Sequence, residues 1–66
     1  MTLRVNGEDR SFASGSTLSD LLRALGVRSE SAATEVNGVV VPRAAWGTTR
    51  LSEGDRVEIV TLTGGG

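Results

Sequence analysis

The chain has no cysteine, no histidine and no lysine among its 66 residues, no tyrosine, and a single proline. Without the first three, side-chain thiolate, imidazole and amine chemistry are all absent. There is no disulfide framework and no Cys/His metal site to reinforce the fold. Aromatics are limited to Phe12 and Trp46, and seven Arg are interspersed with eight Asp plus Glu for a net charge of −1. A nucleic-acid interface would lack both its basic stripe and its stacking platform. No apolar run approaches the roughly 18–20 residues of a membrane span. Arg4 and Asn6 interrupt the stretch where a signal peptide would need continuous apolar residues. The expectation is a soluble, cytoplasmic protein that is monomeric when free and binds neither nucleic acid nor membrane.

At this length one domain is expected, burying only about 60% of its unfolded surface around a thin core. Met1, Leu3 and Val5 alternate with polar residues, the period of a half-buried strand. Asn6-Gly7 then predicts a tight hairpin, and Phe12 is expected as the inward anchor of the return strand. Leu18, Leu21, Leu22 and Leu25 form one apolar helical face. Thr17 and Asp20 make a capping-box pair ahead of it, and Gly26 supplies the left-handed stop with Val27 packing back on Leu22. A second hairpin is predicted for Thr34–Val36 and Val39–Val41 around Asn37-Gly38, ended by Pro42. Residues 43–49 read as a loop holding Trp46 at the end of the core, and Ser52–Asp55 as a turn. In the last strand, Arg56 to Leu62, Val57 and Ile59 face one side and Glu58, Val60 and Leu62 the other. The order is an α+β one, with a single helix crossing one face of a mixed sheet of four to five strands. The terminal strands are expected side by side in its centre, as in the β-grasp (ubiquitin-like) fold. The domain is assigned to residues 1–62 and a flexible glycine tail to 63–66.

That tail, Gly64-Gly65-Gly66, bears the most plausible reactive group, the Gly66 carboxylate. The body offers no thiol, imidazole or Lys amine, leaving the N-terminal amine as the one amine on the chain, and no carboxylate pair has a pocket around it. No Lys and no following helix make the glycines a phosphate loop. Extended, the four residues 63–66 span about 13–14 Å, enough for the terminus to enter a narrow buried site while the body docks outside. Glycine tails also occur as frayed ends or linker remnants, so the tail by itself leaves the two readings open.

Taken together, Val5-Asn6-Gly7-Glu8, the leucine helix Thr17–Gly26, Glu35-Val36-Asn37-Gly38 and Glu53-Gly54-Asp55-Arg56-Val57-Glu58 resemble the ThiS-type sulfur carriers of thiamine thiazole biosynthesis. Val41-Pro42-Arg43-Ala44-Ala45-Trp46 with the terminal Gly65-Gly66 is the more specific part of the likeness; Gly64 extends the usual diglycine by one. The resemblance implies that a ThiF-type enzyme uses ATP and magnesium to adenylate the Gly66 carboxylate. A persulfide from a cysteine desulfurase or similar donor then converts it to a thiocarboxylate, and a ThiG-type thiazole synthase draws sulfur from it. The chain would be a protein co-substrate rather than an enzyme, with no bound cofactor and no metal.

Candidate partner-binding residues are Gly64, Gly65, Leu62, Val60 and Arg43. Val60 and Leu62 would form a docking patch on the helix-free face, with scattered surface apolars as the plainer alternative. Arg43 stands between a solvent-exposed side chain and a partner ion pair. Glu53, Asp55 and Glu58 read as a solvated acidic face able to steer docking. The alternatives are a carrier for molybdopterin, cysteine or another thio-metabolite, a ubiquitin-like modifier, and a non-catalytic β-grasp interaction domain.

Overall fold

The computed structural model describes residues 1–61. The strands are β1 (Thr2–Val5), β2 (Glu8–Ser11), β3 (Ala32–Val36), β4 (Val39–Val41) and β5 (Arg56–Thr61), and the one α-helix is α1 (Leu18–Ala24). They form a five-stranded sheet in the order β2-β1-β5-β3-β4. β1 and β5 lie parallel in its middle, as expected of a β-grasp fold, and the other pairings are antiparallel.

The hairpin at Asn6-Gly7 forms because both residues accept positive φ, 49° and 84°, and Asn37-Gly38 repeats it at 51° and 84°. Thr17 caps α1 through a complete capping box, its Oγ1 accepting from the Asp20 amide and Asp20 Oδ2 from the Thr17 amide. The amides of Leu18 and Ser19 donate to the carbonyls of Thr49 and Trp46. All four amides that a helix start leaves without intrahelical partners are thereby satisfied. At the other end Gly26, at φ 72°, donates to Arg23 and Val27 donates to Leu22, a Schellman motif.

Leu18, Leu21 and Leu22 pack on Leu3, Val5 and Val57 from the sheet and on Trp46 and Leu51 from the long connection. Among the described residues those eight side chains are the fully buried apolar core, as thin as the chain length implies. Val57 is buried and Ile59 partly so, while Glu58 and Val60 are exposed on the opposite face, as the alternation predicts.

Three details differ from the expectation. β2 ends at Ser11, one residue short of Phe12, which is half-buried and packs against the core as expected; every residue of β2 itself is exposed, because β2 is an edge paired only with β1. β3 begins at Ala32, two residues early, since the register with Val60 and Thr61 recruits alanines that carry little strand signal of their own. Short 3-10 helices occupy Ser29–Ser31 and Arg43–Ala45, the second inside the expected loop.

Candidate functional site

β5, the middle strand of the sheet, is the last described element, and its final residue Thr61 directly precedes residue 62 in the chain. On one flank it pairs with β3 through to Thr61. On the other, β1 turns away after Val5, and its ladder would end at the bond from the Asn6 amide to the Val57 carbonyl, 2.9 Å. The side chain of Asn6 continues it. Its Oδ1 accepts from the Ile59 amide at 2.7 Å and its Nδ2 donates to the Ile59 carbonyl at 3.2 Å.

Asn37 holds the start of β5 in a similar way. Its Oδ1 accepts from the Arg56 amide at 2.9 Å, and its Nδ2 donates to Asp55 Oδ1 at 3.0 Å. Both asparagines announce themselves in the sequence as hairpin formers only. Their second role becomes visible once the sheet order brings β5 beside both turns.

The helix-free face of β5 carries Val60, 58% exposed, beside Ala33 of β3. Val40 of β4, 67% exposed, adjoins it across Glu35. These residues with Thr34 and Glu58 line a shallow hollow of about 80 Å³. Glu35 and Glu58 stand directly opposite one another in the β3–β5 register. Facing like charges disfavour an isolated sheet, so this pair contributes nothing to stability.

The other two members of the expected acidic face have internal work instead. Glu53 Oε1 accepts from the Thr2 amide at 2.9 Å, and the Gly54 amide donates to the Thr2 carbonyl at 2.8 Å. Asp55 Oδ2 accepts from the Ser52 amide at 2.8 Å. The Glu-Gly-Asp turn therefore clasps the start of β1, and of the three carboxylates Glu58 is the one on the open face.

Of the residues named from sequence, Val60 lies where it was expected. Arg43 is exposed in the 3-10 helix after the edge strand β4, and is not among the residues lining the hollow. The structure thus does not join Arg43 to Val60. Leu62, Gly64, Gly65 and Gly66 lie outside the described residues. Glu35, Val40 and Ala33 were not foreseen, because only the register shows which residues of β3 and β4 neighbour β5.

A second hollow, of about 260 Å³, lies between α1 and the connection, lined by Ser19, Leu22, Arg23, Val27 and Trp46. Beside it Asp20, held below the usual carboxylate range by the Thr17 backbone and hydroxyl and then by Arg23, pairs with Arg23 at 3.7 Å. Among the described residues no group of Asp or Glu is arranged to hold a metal. No helix is long and apolar enough to cross a membrane.

Comparison with known proteins identifies the family. The ThiS family model matches residues 3–66. The chain is 30% identical to the sulfur carrier protein ThiS of Escherichia coli (strain K12), covering all of both chains. It is 41% identical over 66 residues to a thiazole synthase of Paramagnetospirillum magneticum, of whose length it spans only 20%. The crystal structure of the thiamine biosynthesis protein ThiS from Geobacter metallireducens superimposes with a TM-score of 0.86 at 38% identity, all of both chains being covered. The β-grasp fold follows from that likeness, and with the family match and the full-length relative it establishes that the chain belongs to the ThiS family.

Proposed function

We propose that this chain is a sulfur carrier of thiamine biosynthesis, a protein co-substrate whose Gly66 carboxylate is the group transformed. The observation that carries this reading is the course of β5. The central strand carries an exposed Val60 and ends, at Thr61, just before the residues whose sequence closes on three glycines, in a ThiS-family chain without side-chain thiol, imidazole or amine.

A carboxylate is a poor electrophile until one oxygen becomes part of a leaving group. In the proposed sequence a ThiF-type enzyme, using ATP and magnesium at its own site, forms the Gly66 acyl-adenylate and releases pyrophosphate. The terminal sulfur of a persulfide, supplied by a cysteine desulfurase or other donor, attacks the acyl carbon and expels AMP. A second thiol then cleaves the S–S bond, leaving the thiocarboxylate and a disulfide. A ThiG-type thiazole synthase is the proposed acceptor, supported by the match of the whole chain to a part of thiazole synthases. Val60, with Leu62, Gly64 and Gly65, is proposed to contact these partners. Arg43, which is exposed and not among the residues lining the hollow, is proposed as a peripheral contact.

The test is intact mass after incubation with a ThiF-type enzyme, ATP and a persulfide donor. Exchange of oxygen for sulfur adds about 16 Da, and fragmentation must place it on the Gly66 peptide because oxidation of Met1 adds nearly the same mass. An ATP-dependent shift confined to that peptide is expected. No shift with an enzyme active on another carrier overturns the proposal, and a ladder of chain–protein adducts replaces it with a ubiquitin-like modifier.

A further inference from the structure

The carrier reading leaves open what aims the terminus, and the answer lies at the point where β1 stops accompanying β5. Among the described residues no backbone pairs with the β1 flank of β5 beyond Val57, because the chain turns at Asn6-Gly7. Ile59 presents both its amide and its carbonyl to that gap. The carboxamide of Asn6 meets both, at 2.7 and 3.2 Å, as one further rung of a parallel ladder would. Ile59 is thereby the last residue of β5 gripped from the β1 side, two residues before the end of the described strand.

We propose that Asn6 is a positioning residue for the reaction at the C-terminus: its carboxamide holds Ile59, and with it the last described residues of β5, against the Asn6-Gly7 turn. This inference rests on the carrier reading. With the clamp in place the tail starts from a strand held on both flanks. Without it, residues 58–61 are held by β3 alone, and the span between docking face and reacting carboxylate gains length and freedom. Orientation of a reacting group is lost when its tether is loosened, even where docking is untouched. A hairpin turn alone does not require the second role, since glycine would satisfy the positive φ of 49° as well.

That last point supplies the test. Asn6→Gly keeps the turn and removes both bonds to Ile59. Asn37→Gly is the control, removing two comparable side-chain bonds at the opposite end of β5. Each variant is assayed as substrate of a ThiF-type enzyme at a temperature where both are fully folded. Amide hydrogen exchange is followed at Ile59 and Val57.

Asn6→Gly is expected to speed exchange at Ile59 relative to Val57 by about fivefold or more. It is expected to lower kcat for adenylation by about tenfold while KM stays within about twofold, the split that misorientation rather than lost docking produces. Asn37→Gly should leave kcat unchanged. Asn6→Asp, which keeps an acceptor for the Ile59 amide and loses the donor, should fall between. Unchanged exchange at Ile59, or a kcat loss no greater than that of Asn37→Gly, overturns the proposal. A wild-type chain that is never modified overturns the carrier reading and this inference together, whereas a modified wild type with equally active Asn6→Gly overturns only the inference.

Discussion

The indole N–H of Trp46 donates to the carbonyl of Val41 at 3.0 Å, closing the Val-Pro-Arg-x-x-Trp segment on itself. Buried Thr34 donates its hydroxyl to the same carbonyl at 3.1 Å. Pro42, at φ −66°, starts the 3-10 helix that brings the chain back under β4. The Trp46 carbonyl in turn accepts from Ser19 in the first turn of α1, at 3.1 Å. Trp46 therefore links edge strand, connection and helix.

Trp46→Phe should keep most of the apolar contact and lose the bond to Val41. The expected cost is about 1 kcal/mol, or about 4–8 °C in Tm for a domain this size. Trp46→Ala should cost about 3–5 kcal/mol. A total stability of about 0.05–0.15 kcal/mol per residue leaves little after that, so the alanine variant should be largely unfolded at 37 °C. Thermal melts by circular dichroism check both, and a Trp46→Ala variant as stable as wild type would show that the indole is not core.

The helix and both hairpins were legible because each is specified locally. Thr17 with Asp20, the leucine spacing and the two Asn-Gly pairs all act within a few residues of themselves. The alternation in β5 likewise placed Val57 and Val60 on opposite faces before any pairing was known. What could not be read depends on register between distant strands. Glu35 faces Glu58 across 23 positions of sequence, and Asn6 reaches Ile59 across 53. No local preference encodes either. Glu53 is exposed as a solvated face requires, but its bond to Thr2 and that of Asp55 to Asn37 are not legible for the same reason, since those partners are remote in the chain.

Asp20 sets an acid-side dependence. Its carboxyl is held below its ordinary value of 3.8, first by the Thr17 backbone amide and hydroxyl and then by Arg23. A carboxylate depressed in the folded state stabilises it above the unfolded pKa, and that contribution is lost as pH falls through the folded pKa. Wild type should therefore lose its Tm advantage over Asp20→Asn as pH drops below about 4. Melts across that range check it, and a constant difference would mean that the capping carboxylate does not titrate with folding.

Asn37→Gly should separate the turn from the clamp at the start of β5. Glycine accepts φ 51° without strain, so the loss comes from the bonds to Asp55 and Arg56. A drop of about 0.5–1.5 kcal/mol in chemical denaturation is expected, the usual range for exposed hydrogen bonds. Asn37→Ala should lose about 1 kcal/mol more, because a Cβ resists the left-handed region. Equal stability of the two variants would show that the backbone there relaxes out of positive φ.

Val60→Ser tests whether the open face belongs to partners. The side chain is 58% exposed and stands beside Ala33, so its truncation leaves no cavity in the Leu21–Val57 core. Stability should change by no more than about 0.5 kcal/mol, as at ordinary surface sites. If the hollow is a docking surface, KM for activation should rise about fivefold, the equivalent of roughly 1 kcal/mol of lost contact. Glu58→Gln should reduce the salt dependence of the association rate without a comparable change in stability, since no cation pairs with Glu58 among the described residues. A large fall in Tm for Val60→Ser would assign the residue to the fold. Unchanged kinetics in both variants would move the docking surface elsewhere, with the exposed Arg43 segment beyond β4 the next face to substitute.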